Sequence, residues 1–196
     1  MLKIGLTGGI GTGKSTVAKL FLNKEIPVYD SDARAKNLMS SDEILKKALS
    51  EAFGEQVFNG TELNRAYLAN IAFSSFEELK KLNGIVHPFV AKDFDIWLKQ
   101  QKAKFIIKEA AILFESGAYK NVDKVVLVSC PLSIRVQRVA LRDSLSKEEI
   151  MKRVNNQMMQ SEKAALSDYI IDNKYSIESL QKQVDEVYSS ILSLLG

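Results

Sequence analysis

Short apolar runs alternate with helix-period stretches along most of this chain. Five of the runs, at residues 2–7, 26–30, 104–109, 124–129 and 168–172, are rich in Val, Ile and Leu and show little polar alternation. Near-continuous apolar strands fit a sheet covered on both faces. With helical pattern between successive runs, the arrangement predicts parallel strands joined by right-handed crossovers. The helices are legible too. Residues 16–22 follow a glycine cluster, and 42–53 carry Ile44, Leu45, Ala48, Leu49 and Ala52 as one stripe that stops before Gly54. Ser146-Lys147-Glu148-Glu149 has the spacing of a capping box, in which the serine accepts from an orphan backbone N–H and the glutamate reaches back. A last helix from about Ile177 repeats Leu180, Val184, Val187, Ile191 and Leu194 on the face expected to meet the sheet.

Two intervals exceed what a crossover needs. A parallel connection takes roughly a dozen residues, yet 33–103 separates the second and third strands and is mostly helical in pattern. It predicts a helical cap beside the carboxyl edge of the sheet. Residues 133–164 form a second helical excursion, rich in Arg, Lys and Gln. No internal repeat or low-complexity linker interrupts the pattern.

Composition narrows the picture without changing it. A length of 196 residues suits one α/β domain with inserted segments, and 46% hydrophobic residues can fill its core. The net charge of +3 gives no reason to expect a nucleic-acid or membrane partner. Cys130 is the single cysteine, which excludes an internal disulfide and a zinc-holding cysteine cluster and fits a reducing cytosol. No apolar run approaches the ~20 residues of a membrane span, and the first residues lack the basic leader of a signal peptide. The expectation is a soluble, cytoplasmic protein.

The candidate chemistry begins where the first strand ends. Gly8-Gly9-Ile10-Gly11-Thr12-Gly13-Lys14-Ser15 fills the spacing G-x-x-x-x-G-K-[ST] between a strand and a helix. Such a loop turns backbone N–H groups toward an anion, and the helix that follows adds unpaired N–H groups and its positive dipole end. Gly9, Gly11, Thr12, Gly13, Lys14, Ser15 and Thr16 are therefore the expected ATP-phosphate contacts. Lys14 reaches the β/γ-phosphates, and the Ser15 hydroxyl is a ligand for Mg²⁺.

Phosphoryl transfer needs more than a cradle. The second strand ends in Val28-Tyr29-Asp30-Ser31-Asp32, and the carboxyl ends of neighbouring parallel strands share one ligand crevice. A carboxylate there can take the proton of an attacking hydroxyl, help hold the metal, or simply cap a helix. Asp30 and Asp32 alternate, so they point to opposite sides for as long as the strand lasts. Arg135, Arg138 and Arg142 share one helical stripe. They suit either a closing lid that meets phosphate oxygens or a solvated charged face. Arg153 and Gln157, at i and i+4 on the next expected helix, carry the same two readings, and Arg135 is expected to matter least of the three stripe arginines.

The chain resembles the dephospho-CoA kinase family over nearly its whole length. The residues that carry the resemblance are Leu6-Thr7-Gly8-Gly9-Ile10-Gly11-Thr12-Gly13-Lys14-Ser15, Asp30-Ser31-Asp32 with Ala33-Arg34, Leu82-Asn83 and His87-Pro88. They continue with Leu113-Phe114-Glu115, Arg138, Arg142-Asp143, Arg153, Gln157, Lys163 and Ile171-Asp172-Asn173. The resemblance implies transfer of the ATP γ-phosphoryl group to the ribose 3′-hydroxyl of dephospho-CoA. It implies Asp32 as base and possible metal ligand, Lys14, Arg138 and Arg142 as catalytic cations, and Arg142 and Asn173 at the nucleotide. Asp32, Arg34, His87 and Glu115 fall on the side of the acceptor.

The implied fold is a three-layer P-loop kinase: a five-stranded parallel sheet with helices on both faces. Its core is 1–32, 103–132 and 165–196, with a helical substrate-binding insertion at 33–102 and a helical lid at 133–164. A monomer is expected. One departure stands out, because Glu109-Ala110-Ala111 replaces the family's usual Asp-x-Pro and leaves a role for Glu109 in doubt.

Two other classes fit parts of the pattern. A kinase for another small alcohol or nucleotide would share sheet, loop and lid. A GTPase-type switch would need a guanine reader, and Asn173-Lys174-Tyr175-Ser176 lacks its closing aspartate. For any of the kinases, Lys14→Ala should fold normally and lose nearly all phosphoryl transfer. A circular-dichroism spectrum and a coupled ADP assay check this, and near-parental turnover in the folded variant would remove the loop from the chemistry.

Overall fold

In the computed structural model, which describes residues 1–72 and 75–196, all five apolar runs become strands of one parallel sheet. In chain order the strands are β1 (Leu2–Thr7), β2 (Val28–Asp30), a short pair β3 (Phe58–Asn59) and β4 (Glu62–Leu63), β5 (Phe105–Glu109), β6 (Lys124–Ser129) and β7 (Tyr169–Asp172). The helices are α1 (Lys14–Leu22), α2 (Ser31–Ser41), α3 (Glu43–Phe53), α4 (Arg65–Ala72), α5 (Phe76–Lys99), α6 (Leu132–Asp143), α7 (Lys147–Asn155), α8 (Gln160–Ala165) and α9 (Ile177–Ser193). The chain divides into two compact units. One comprises Met1–Asp30 and Lys102–Gly196, the other Ser31–Gln101.

The first unit holds the sheet, in the order β2-β5-β1-β6-β7 with every pairing parallel. β1 is central, so its side chains must be apolar on both faces. Ile4 and Leu6 pack with Val17 and Phe21 of α1 and with Val184 and Ile191 of α9. Gly5 points the other way, where a Cβ would press on Leu113 and Val122. That face is filled by Ala110, Leu113, Phe114 and Val125, with Met158 packed against them.

Strand and helix ends shift for local reasons. β2 begins at Val28 because Pro27 has no N–H to donate, although its carbonyl still accepts from Ile107 at 2.9 Å. Asp168 stays outside β7, yet its carboxylate accepts from the Val125 N–H at 2.8 Å and from Lys124 at 2.7 Å. Those bonds hold its pKa below the usual carboxylate range despite some burial. Ser146 and Glu149 form the expected capping box.

The second unit is helical, with a core of Leu45, Leu49, Phe53, Leu68, Val86, Val90 and Phe94. Here one expectation needs correcting. Ile44 is 73% exposed, because the buried line of α3 runs through Leu45, Leu49 and Phe53. Asp42 caps that helix by accepting from the Ile44 and Leu45 N–H groups, which leaves Ile44 in the solvent-facing first turn. α5 runs through His87 and Pro88 without a break. It is tied to α2 by a bidentate pair between Arg34 and Asp93 at 2.7 and 2.5 Å.

A second correction falls on the last helix. Leu194 lies past the end of α9 and is 51% exposed, whereas Leu180, Val184, Val187 and Ile191 are buried as expected. The two positions make a direct test of where the core stops. Ile191→Ala should cost about 2–5 kcal/mol in urea unfolding, and Leu194→Ala less than about 0.5 kcal/mol. Equal losses would place Leu194 back in the core.

Candidate active site

The carboxyl end of β1 opens into the glycine loop, and the loop closes on itself before α1 begins. Thr12, fully buried, donates from its N–H (3.2 Å) and its hydroxyl (2.9 Å) to the Gly9 carbonyl. The Gly13 carbonyl accepts from Thr16 and Val17 at 3.0 and 3.2 Å, which starts the helix. Gly11 and Gly13 have φ of 78° and 89°, a region that L side chains rarely enter. Lys14 is the first residue of α1, with Ser15 exposed beside it and Thr16 half-buried.

Side chains from distant parts of the same unit hold the outside of the loop. Asn173, just past β7, donates from Nδ2 to the Thr12 carbonyl at 2.8 Å and is itself buried. A trans peptide points its C=O and N–H to opposite sides. Drawing the Thr12 carbonyl toward Asn173 therefore turns the Gly13 N–H away from it. Arg135 of α6 donates from Nε to the Ile10 carbonyl at 2.9 Å, and the Ile10 N–H donates to Gln157 Oε1 at 2.9 Å.

The arginine stripe is not one surface. Arg135 is buried, with Nη1 donating to Gln160 Oε1 at 3.2 Å, and burial lowers its pKa. Arg138 is half-buried, with Nη1 lying 3.6 Å from the Cys130 sulfur. Arg142 is exposed and paired with its neighbour Asp143 at 2.7 and 2.8 Å, which raises its pKa. Of the three, Arg135 is the one whose side chain lies against the loop. Gln157 departs from expectation, since α7 ends at Asn155 and Gln157 follows it in an irregular link. Gln160 was not singled out by the sequence at all. It opens α8, and the first position of a six-residue helix carries no periodicity to mark it.

Below that link, Lys163 is 1% exposed and pairs with Glu115 Oε1 at 2.8 Å while donating to the Ala111 carbonyl at 3.2 Å. The same Glu115 oxygen accepts from the Met158 N–H at 2.9 Å. A buried lysine is costly unless paired and hydrogen-bonded in this way. A cavity of about 770 Å³ adjoins this region, lined in part by Gly9, Cys130, Arg135, Gln157, Lys163 and Lys174. Burial pushes the Cys130 thiol up, against the pull of Arg138 and Arg135, so it is not a ready nucleophile.

The carboxylates fall in two places. Asp30 and Glu109 end adjacent strands in register, the latter buried. Asp32 lies exposed in the first turn of α2, so the strand alternation expected to relate it to Asp30 stops at Asp30. An acidic residue there complements the helix dipole. In the second unit, Arg34 is held by Asp93, and His87 is half-buried on α5. Among the described residues no three His, Cys, Asp or Glu side chains form a metal cage. The Ser15 hydroxyl and the Asp30 carboxylate are hard oxygen donors, of the kind that suits a cation arriving with phosphate and water as its other ligands.

Comparison with known proteins gives one consistent answer. A family model described as dephospho-CoA kinase matches residues 2–179. The dephospho-CoA kinase of Bacteroides fragilis strain YCH46 is 42% identical over 173 residues, which cover 88% of this chain and 84% of that one. The crystal structure of a Thermus thermophilus protein superposes with a TM-score of 0.86 at 36% identity, covering 96% of this chain and 97% of the other. The dephospho-CoA kinase from Campylobacter jejuni gives 0.67 at 27% identity over 96% of each chain.

The loop geometry sets a test of its own. A Cβ on Gly13 would land on the Asn173 amide nitrogen, in a backbone region already strained for alanine. Gly13→Ala should therefore lose ADP binding by at least about 10-fold in calorimetry, since the cradle cannot close. Unchanged affinity would show that the loop does not need this shape.

Proposed function

Because the chain belongs to the dephospho-CoA kinase family, we propose that it transfers the γ-phosphoryl group of ATP to the ribose 3′-hydroxyl of dephospho-CoA, giving coenzyme A and ADP. The observation that carries the proposal is the glycine loop, with its carbonyls held outward by Asn173 and Arg135 at the head of α1.

In this reading the N–H groups of Gly9, Gly11 and Gly13, with Ser15 and Thr16 on the first turn of α1, receive the phosphates of ATP, while Thr12 keeps the loop folded around them through its bonds to the Gly9 carbonyl. Lys14 neutralises charge on the β/γ-phosphates as the bond from the γ-phosphorus to the bridging oxygen lengthens. Asp32 accepts the proton of the 3′-hydroxyl as that oxygen bonds to phosphorus, and ADP leaves. Arg138 and Arg142 meet the equatorial oxygens when 133–164 closes as a lid, with Arg142 exchanging Asp143 for phosphate. Asn173 borders the base while it holds the Thr12 carbonyl.

When bound, Mg²⁺ would offset the negative charge of the phosphates. The Ser15 hydroxyl would hold it, with Asp30 or Asp32 assisting. On the acceptor side, the insertion at 33–102 receives dephospho-CoA through Arg34 and His87. Glu115 acts there through its pair with Lys163. A monomer in the cytoplasm completes the proposal. The location is supported by the single cysteine, buried and free of any disulfide, which fits a reducing compartment.

Mass spectrometry of the product from Mg-ATP and dephospho-CoA, run beside a panel of other alcohols and nucleotides, tests the acceptor. Phosphorylation of another acceptor in preference to dephospho-CoA would overturn it. Asp32→Asn should keep ATP affinity within a few-fold and slow turnover by roughly 10²–10⁴, the scale of a lost general base. Unchanged turnover with lowered stability would leave Asp32 as a helix-end residue only.

A further inference from the structure

Ile10 sits in the turn of the glycine loop, and both of its backbone polar groups are held from outside. Its N–H donates to Gln157 Oε1 and its carbonyl accepts from Arg135 Nε, each at 2.9 Å. No peptide bond in the described chain is cis. In a trans peptide the C=O and the next N–H point to opposite sides. Arg135, by drawing the Ile10 carbonyl toward α6, therefore turns the Gly11 N–H away from α6. Gln157, by holding the Ile10 N–H, turns the Gly9 carbonyl the other way, to where Thr12 meets it with its N–H and hydroxyl.

A segment reading Gly8-Gly9-Ile10-Gly11 has little steric resistance to a peptide flip, because glycine reaches most backbone conformations at low cost. Something outside the loop has to select one orientation. The two side chains that hold Ile10 converge on one point: a Cβ built on Gly9 would fall against both Arg135 Nη2 and Gln157 Oε1. Both arise from 133–164, more than a hundred residues along the chain from the loop they hold.

The charge on Arg135 is the telling part. Its side chain is buried, and among the described ion pairs it has no carboxylate partner; its neighbours are a carbonyl and an amide oxygen. A fold selected for stability alone gains by replacing a buried unpaired cation with an apolar side chain. Retaining one against the glycine loop makes sense if it serves the loop.

We infer that Arg135 and Gln157 are positioning residues that set the loop's N–H groups toward the nucleotide phosphates by fixing the two peptides of Ile10. Neither side chain needs to touch the nucleotide. The inference rests on the loop being the ATP phosphate cradle, and it is indifferent to which hydroxyl accepts the phosphoryl group.

The test uses the full chain with ADP as probe. Arg135→Met keeps an unbranched stem and removes the buried charge; Gln157→Met removes the acceptor at a half-exposed site; Arg135→Lys keeps a cationic donor of shorter reach. ADP binding by calorimetry, melting temperature, and the KM for ATP and for dephospho-CoA are measured on each. Arg135→Met is expected to melt at or above the parental temperature and to bind ADP about 10- to 100-fold more weakly, the scale of a hydrogen bond to a charged group. Its KM for ATP should rise while its KM for dephospho-CoA stays put. Gln157→Met should follow in the same direction by a smaller factor, and Arg135→Lys should recover part of the loss.

A merely structural arginine would give the reverse pattern: a lower melting temperature with ADP affinity unchanged in the folded protein. That result in Arg135→Met, or in Gln157→Met should the arginine variant not fold, overturns the inference and leaves the phosphate reading standing. Failure of the parental chain to bind ADP would overturn both.

Discussion

A loop that binds an anion through its backbone N–H groups must send its carbonyls elsewhere, and every buried carbonyl needs a donor. Much of the sheet-bearing unit can be read as an answer to that demand. Thr12 serves Gly9, Arg135 serves Ile10, Asn173 serves Thr12, and the first turn of α1 serves Gly13. Two of these donors follow β6 and β7, the strands on one side of β1 in the sheet. The parallel order is what brings their carboxyl ends, and the side chains beyond them, to the level of the loop.

The fold was largely legible because burial on both faces leaves an apolar run wherever a central strand lies. All five strands of the sheet could be placed to within two residues, and the misjudged starts of β2 and β7 trace to Pro27 and to the side-chain bonds of Asp168. Helical phase was less secure. Ile44 and Leu194 have the right chemistry and nearly the right spacing, yet a cap and a helix end put both in solvent. Apolar spacing cannot register where a helix stops turning.

The glycine loop was legible for a different reason: its requirements are local, so its spacing is fixed. The donors around it were not. The pairs Arg135–Ile10, Gln157–Ile10 and Asn173–Thr12 join residues 125, 147 and 161 positions apart. Nothing in the i, i+3, i+7 spacing of Arg135, Arg138 and Arg142 tells a buried guanidinium from a solvated one. Only tertiary packing separates Arg135 from Arg142. The family resemblance pointed to Gln157, Lys163 and Asn173 as residues to watch, without saying what each one holds.

The link after α7 does two jobs with consecutive residues. Gln157 holds the glycine loop, Met158 donates its N–H to Glu115, and Lys163 returns to that same carboxylate five residues later. This stretch therefore acts as a ruler. Inserting or deleting one residue between 157 and 163 would break either the grip on Ile10 or the grip on Glu115, because the two anchor points are set by separate parts of the sheet. Among the described residues, the turn between α6 and α7 at Ser144 carries no such double attachment. Among natural variants of this chain, length changes should collect at that turn and spare the link, even where every side chain in the link could be exchanged.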